Sequence, residues 1–128
     1  MTDLAAAVQA RLSGPLARVY EPNKVPDKPA FPYGELSVAP YLPLVYTLDG
    51  GHGAHEYQIV FRAFARTAGA VNDYMTQALD LLLGAYLTAD DGIYGPGRLE
   101  LRPTIPTRDP DDNGVLGSIA TFTFIKEQ

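Results

Sequence analysis

The sequence predicts a small α+β domain: one mixed, mainly antiparallel sheet with two helices packed on one face. Three observations carry that prediction. His55–Arg66 alternates with a period of two, setting Tyr57, Ile59, Phe61, Ala63 and Ala65 against Glu56, Gln58, Val60, Arg62, Phe64 and Arg66, the pattern of a strand with one buried face. Ala70–Leu83 then changes period. Val71, Tyr74, Met75, Ala78 and Leu82 fall on one side of a helical wheel, and Asn72, Asp73, Thr76, Gln77 and Asp80 on the other. At 128 residues the chain suits one domain, and too little of it precedes the Pro-rich stretch to fold alone, which favours a single layered domain over residues 1–128.

Each element follows in order. Thr2 and Asp3 are a good helix start, Leu4, Val8 and Leu12 repeat every four residues, and Gly14-Pro15 is a stop. Leu16–Glu21 reads as a short edge strand. Pro22, Pro26, Pro29 and Pro32 then form an extended connection, since proline lacks the donor that a central strand needs. Tyr33–Ala39 resumes as a strand with Gly34, Leu36 and Val38 on one face. Leu44–Leu48 is β-prone, and the Asp49–Gly53 turn links it to the central strand as an antiparallel pair. Thr67 caps the second helix and Gly84 ends it. Ala85–Gly97 reads as a loop. Arg98–Arg102 reads as a strand with Leu99 and Leu101 inward and Arg98, Glu100 and Arg102 outward. Pro103, Pro106 and Pro110, with the nearby aspartates, form a polar connection. Leu116–Lys126 is the last strand, and neither of its faces is polar.

Composition excludes several chemistries. The absence of cysteine removes disulfides, thiolate metal sites and cysteine nucleophiles together. A formal net charge of -5 argues against a protein that grips nucleic acid with its whole surface. Met1–Leu12 lacks a basic region followed by an apolar run, and no apolar stretch is long enough to span a bilayer. A soluble protein without membrane association is therefore expected.

The candidate chemistry is sparse. His52 and His55 have His-x-x-His spacing near Asp49 and Glu56, but they sit in a glycine-rich turn, and a metal site needs ligands on rigid structure. Gly92–Gly97 lacks the Gly-Lys-Ser/Thr ending of a phosphate loop and does not open a helix. The carboxylate pairs Asp90-Asp91 and Asp111-Asp112 lie in loops. Asp109–Gly114 lacks the glutamate that a calcium loop requires. Eight tyrosines occur without the basic groove of a base-stacking platform, and Tyr33, Tyr41, Tyr46, Tyr57 and Tyr74 read mainly as core and interface residues. No catalytic residue, metal ligand or cofactor is expected.

The last strand points to assembly instead. Two short helices cover one face of a sheet of this size. The other face then carries Phe122 and Phe124, or Ile119 and Ile125, with Val60 and Phe64 beside Arg62 and Arg66. Apolar surface of that kind meets another chain. The subunit-interface candidates are Val60, Arg62, Phe64, Arg66, Arg98, Arg102, Phe122 and Phe124, the arginines being candidates for interface ion pairs.

The element order resembles that of the tail terminator (minor tail) proteins of long-tailed bacteriophages and phage-like particles. So does the wording Asp27-Lys28-Pro29-Ala30-Phe31-Pro32-Tyr33-Gly34-Glu35-Leu36, the strand Glu56–Arg66, and the ending Gly117–Glu127 after Asp111-Asp112-Asn113-Gly114. The resemblance spans nearly the whole chain and implies a structural virion protein that is not an enzyme. Such a protein forms a hexameric ring with copies of itself, caps the tube built by the major tail tube protein, and presents the surface for the head–tail connector protein. It resides in the virion tail after assembly in the host cytoplasm. Genomic DNA passes through without specific binding, and Asp109, Asp111 and Asp112 are the candidates for an acidic lumen lining. Three alternatives stand beside this reading: a head–tail connector or neck ring, a small enzyme or cytosolic ligand-binding α+β domain with a pocket around His52, His55 and Glu35, and a plain cytosolic interaction domain with no virus connection.

Overall fold

The structure is a computed structural model that describes residues 3–16, 18–21, 24–27, 29–38, 42–46, 52–90, 92–109 and 112–127. Among these, the chain forms two helices and nine strands in the order α1 (Leu4–Ser13), β1 (Val19–Tyr20), β2 (Tyr33–Val38), β3 (Leu42–Tyr46), β4 (His52–Ala65), α2 (Ala68–Leu82), β5 (Leu87–Ala89), β6 (Gly92–Tyr94), β7 (Arg98–Leu101), β8 (Thr107–Asp109) and β9 (Asp112–Glu127). The strands make one sheet in the order β1-β2-β4-β9-β6-β5, with β3 added to β4 and with β7 and β8 added to β9. Only β1–β2 is parallel among the described pairs. This is the mixed, mainly antiparallel α+β fold that the sequence predicts.

Both helices are capped as their sequences dictate. Asp3 accepts from the Ala6 amide at 2.8 Å and Thr67 from the Ala70 amide at 3.1 Å. Gly84 follows α2 with φ +74°, a backbone shape that glycine adopts without penalty. The buried stripe of α2 is Val71, Tyr74, Met75, Ala78 and Leu82, the side that periodicity marks as apolar. It packs on Ile59, Phe61, Ala63 and Ala65 of β4 and on Ala120, Phe122 and Phe124 of β9. Burying a Phe or Leu side chain contributes about 1.5–3 kcal/mol, so this inner face dominates stability. Gly34 on β2 makes room for it: a Cβ there would lie 2.6 Å from the Phe61 ring.

The Pro-rich connection between β1 and β2 is held by Arg18. Its guanidinium donates to the carbonyls of Ala30, Phe31 and Pro32 at 3.0–3.1 Å. Its own carbonyl accepts from the Gly34 amide at 2.9 Å and from the Tyr74 hydroxyl. Burial raises the Tyr74 pKa above its ordinary value, while the Arg18 amide, which donates to the Tyr74 hydroxyl oxygen at 3.3 Å, acts in the opposite direction.

Three sequence expectations are corrected. Ala85–Gly97 is not simply a loop: it contains the β5–β6 hairpin, with Leu87 opposite Tyr94 and Thr88 opposite Ile93. Strands of three residues are too short for alternation to be legible. Leu101 is not inward. A register shift between Leu99 and Leu101 puts Leu99 opposite Phe122 and Leu101 opposite Thr121, so Leu101 emerges on the other face, 63% exposed. The last strand begins at Asp112, earlier than its apolar pattern suggests, because the polar segment Thr107–Asp109 pairs with it as β8.

Candidate functional site

The outer face of the sheet is the candidate site. It is built by the even positions of β4 and their cross-strand partners. Register places Val60 opposite Ser37 and Thr121, Arg62 opposite Glu35 and Ile119, and Phe64 opposite Tyr33 and Gly117. α2 covers the opposite face of the same strands, so this one has no helix over it. Thr121 and Thr123 are buried by their neighbours, while Val60, Phe64, Ile119 and Ile125 are half-buried.

Arg62 and Glu35 form an ion pair at 3.9 Å, with the Arg62 side chain 40% exposed. An exposed pair of this length contributes about 0–1 kcal/mol. Beside it, Phe64 stacks on Tyr33 with ring centroids 5.0 Å apart, and Tyr33 continues to Phe31 at 5.4 Å. The Arg66 guanidinium lies 4.7 Å from the Phe31 ring centroid. Gly117 leaves space for the Phe64 ring, since a Cβ there would stand 3.1 Å from it.

A cleft of about 400 Å³ opens on this face, lined by Arg62, Phe64, Thr104, Arg108 and Ile119 among others. Thr104 fixes its rim. Its amide donates to the Ile119 carbonyl at 3.0 Å, its hydroxyl accepts from the Ile119 amide at 3.1 Å, and its carbonyl accepts from the Ser118 hydroxyl at 2.7 Å. The chain therefore stays against β9 between β7 and β8, and the next residue, Ile105, is held 83% exposed.

The sequence-derived interface candidates divide. Val60, Arg62 and Phe64 lie on the outer face, Arg98 is exposed opposite Thr123, and Arg102 is exposed just after β7. Arg66 is exposed over Phe31. Phe122 and Phe124 do not belong with them. Register sets them opposite Ile59 and Tyr57, facing the helices, with 0% exposure. The apolar residues of β9 on the outer side are Ile119 and Ile125, the other reading that its alternation allows. Leu101 and Ile105 are missing from the sequence-derived set. A bulge and an irregular connection position them, and neither leaves a periodic signal.

The remaining candidates are located as follows. Asp109 and Asp112 oppose each other where β8 meets β9; their side chains and the whole of Asp111 lie outside the described residues. The backbones of His52 and His55 lie in β4, not in a turn, and their side chains also lie outside the described residues. Seven residues of strand separate His55 from Arg62, the partner of Glu35, a span of about 23 Å at strand rise. A pocket uniting Glu35 with His52 and His55 is thus not formed. Among the described residues no group of three or more His, Cys, Asp or Glu side chains is placed to hold a metal ion. No helix among them is long and apolar enough to cross a membrane.

No protein-family model and no curated protein matches the chain. Among solved structures, it is similar in fold to a chain in the virion of a native gene transfer agent particle. The TM-score is 0.72, with 20% identity, over 98% of this chain and 95% of that one.

Proposed function

We propose that this chain is a structural component of a phage-like virion and that it acts there as a tail terminator. Copies form a ring, hexameric in this reading, that caps the tail tube, ends its polymerisation and offers the surface for head joining. One observation carries the reading: the likeness in fold to a chain of a gene transfer agent virion runs the length of both chains. The outer sheet face supports it. That face joins half-buried apolar residues to exposed arginines and an open cleft without converging catalytic groups, which suits subunit contact better than turnover.

The test is to mix the purified chain with the tail tube protein from the same genome, if one is encoded, and to measure mass in solution and tube length by electron microscopy. A terminator gives rings on tube ends and tubes of fixed length, while tubes without it overgrow. Binding to the portal side alone would replace the proposal with a connector role. In the same reading, Asp109, Asp111 and Asp112 line the lumen and repel passing DNA. Reversing their charge is expected to leave rings intact and to slow DNA ejection; unchanged ejection counts against that placement.

A further inference from the structure

Four of the five exposed large hydrophobic residues among the described positions fall into two separate patches. Ile105 (83% exposed) directly follows Thr104 of the cleft lining, and Leu101 (63%) lies opposite Thr121, two residues along β9 from the cleft residue Ile119. Tyr86 (67%) and Ile93 (62%) stand on the outward side of the β5–β6 hairpin, whose inward side buries Leu87 and Tyr94. The patches are far apart on one ribbon: Tyr94 pairs with Lys126 of β9, whereas Thr104 bonds Ile119. Those partners are seven residues apart, about 23 Å along a strand.

The patches also differ in charge. Arg62 and Arg108 line the cleft against one carboxylate, Glu35, and Arg102 is exposed just beyond β7. Asp90, just after the hairpin's first strand, is exposed, and no Lys or Arg occurs in the sequence between Arg66 and Arg98. A cleft of about 400 Å³ exceeds tenfold the roughly 30 Å³ share of one water, so it accepts side chains.

We propose that the outward face of the β5–β6 hairpin of one copy docks into the arginine-lined cleft of the next. Tyr86 and Ile93 meet Leu101, Ile105 and Ile119, and the Asp90 end of the hairpin faces Arg62 and Arg108. Two different patches joined in this way make a head-to-tail contact, which propagates and closes into a ring when the rotation per subunit allows. The inference deepens the ring reading by naming the segments in contact, and it rests on that reading only for closure.

The chain has no cysteine, so disulfide trapping is clean. The double variant Ile93→Cys with Ile105→Cys, oxidised at high concentration without tube protein, is expected to give a ladder running past the dimer on a non-reducing gel. Cross-linking within one chain is prevented because a disulfide needs Cα atoms within about 7 Å. Either single variant stops at the dimer. Adding Arg62→Glu and Arg108→Glu lowers the ladder yield about tenfold by setting like charges together, with an unchanged monomer melting curve as the control for folding. Absence of a ladder, or single Ile93→Cys chains dimerising as fast as the double variant cross-links, overturns the proposal. A ladder from chains that ignore tube ends retains the contact and removes the terminator role; capped tubes without a ladder do the reverse.

Discussion

The two faces of the β4–β9 pair share strands and register and both carry apolar residues, yet they have different physical roles. Inward, Ile59, Phe61, Ala63, Ala120, Phe122 and Phe124 are 0–1% exposed under α2. Outward, Val60, Phe64, Ile119 and Ile125 remain half-buried among Arg62, Glu35 and two buried threonines. The inner face is a jigsaw in which every methylene counts. The outer face is amphipathic, with charge at its rim and an open cleft, the make-up on which the proposed subunit contact rests. The difference teaches that apolar content alone does not say which residues fill the core; the register that sorts them into faces does.

That contrast yields measurable consequences. The largest is Phe122→Ala, which empties the space against Ile59 and α2 and is expected to cost about 3–5 kcal/mol, read as a shifted urea midpoint. Arg62→Ala on the opposite side of the same strand pair is expected to change stability by less than about 1 kcal/mol. Equal losses at the two positions would erase the distinction between the faces.

A smaller effect sharpens the inner side. Tyr74 has a raised pKa because of burial, so its neutral form favours the folded state. Its contribution is complete below the ordinary tyrosine value of 10.0 and is lost as pH rises through the folded value. Tyr74→Phe is expected to cost about 0.5–1.5 kcal/mol at neutral pH, for the hydrogen bond to the Arg18 carbonyl. It also flattens the alkaline decline in stability. Urea midpoints at neutral and alkaline pH for both chains check this, and parallel declines would mean that Tyr74 is not the group being read.

Periodicity made the long elements legible. The buried stripe of α2, the inner face of β4, the caps at Asp3 and Thr67 and the glycine after α2 all follow from residue spacing. Arg18 was not legible, because its partners are backbone carbonyls of residues 30–32, which have no signature in sequence. β5, β6 and β8 are three residues each and owe their strand state to the neighbours they pair with. The outer site was half legible. Alternation gives Val60, Arg62 and Phe64, but β9 is apolar on both sides, so sequence could not decide which residues face the helices. The bulge after Leu99 and the Thr104 hydrogen bonds that expose Leu101 and Ile105 depend on pairing at long range.

β9 pairs with β4, β6, β7 and β8, and it is the final element in chain order. During synthesis, then, β4 and α2 leave the ribosome long before the ribbon that completes their core. Until residues 112–127 emerge, one edge of β4 stays unpaired and the part of the α2 stripe that meets Ala120, Phe122 and Phe124 stays uncovered, so the core is completed late and the half-made chain depends on whatever in the cell shields such surfaces.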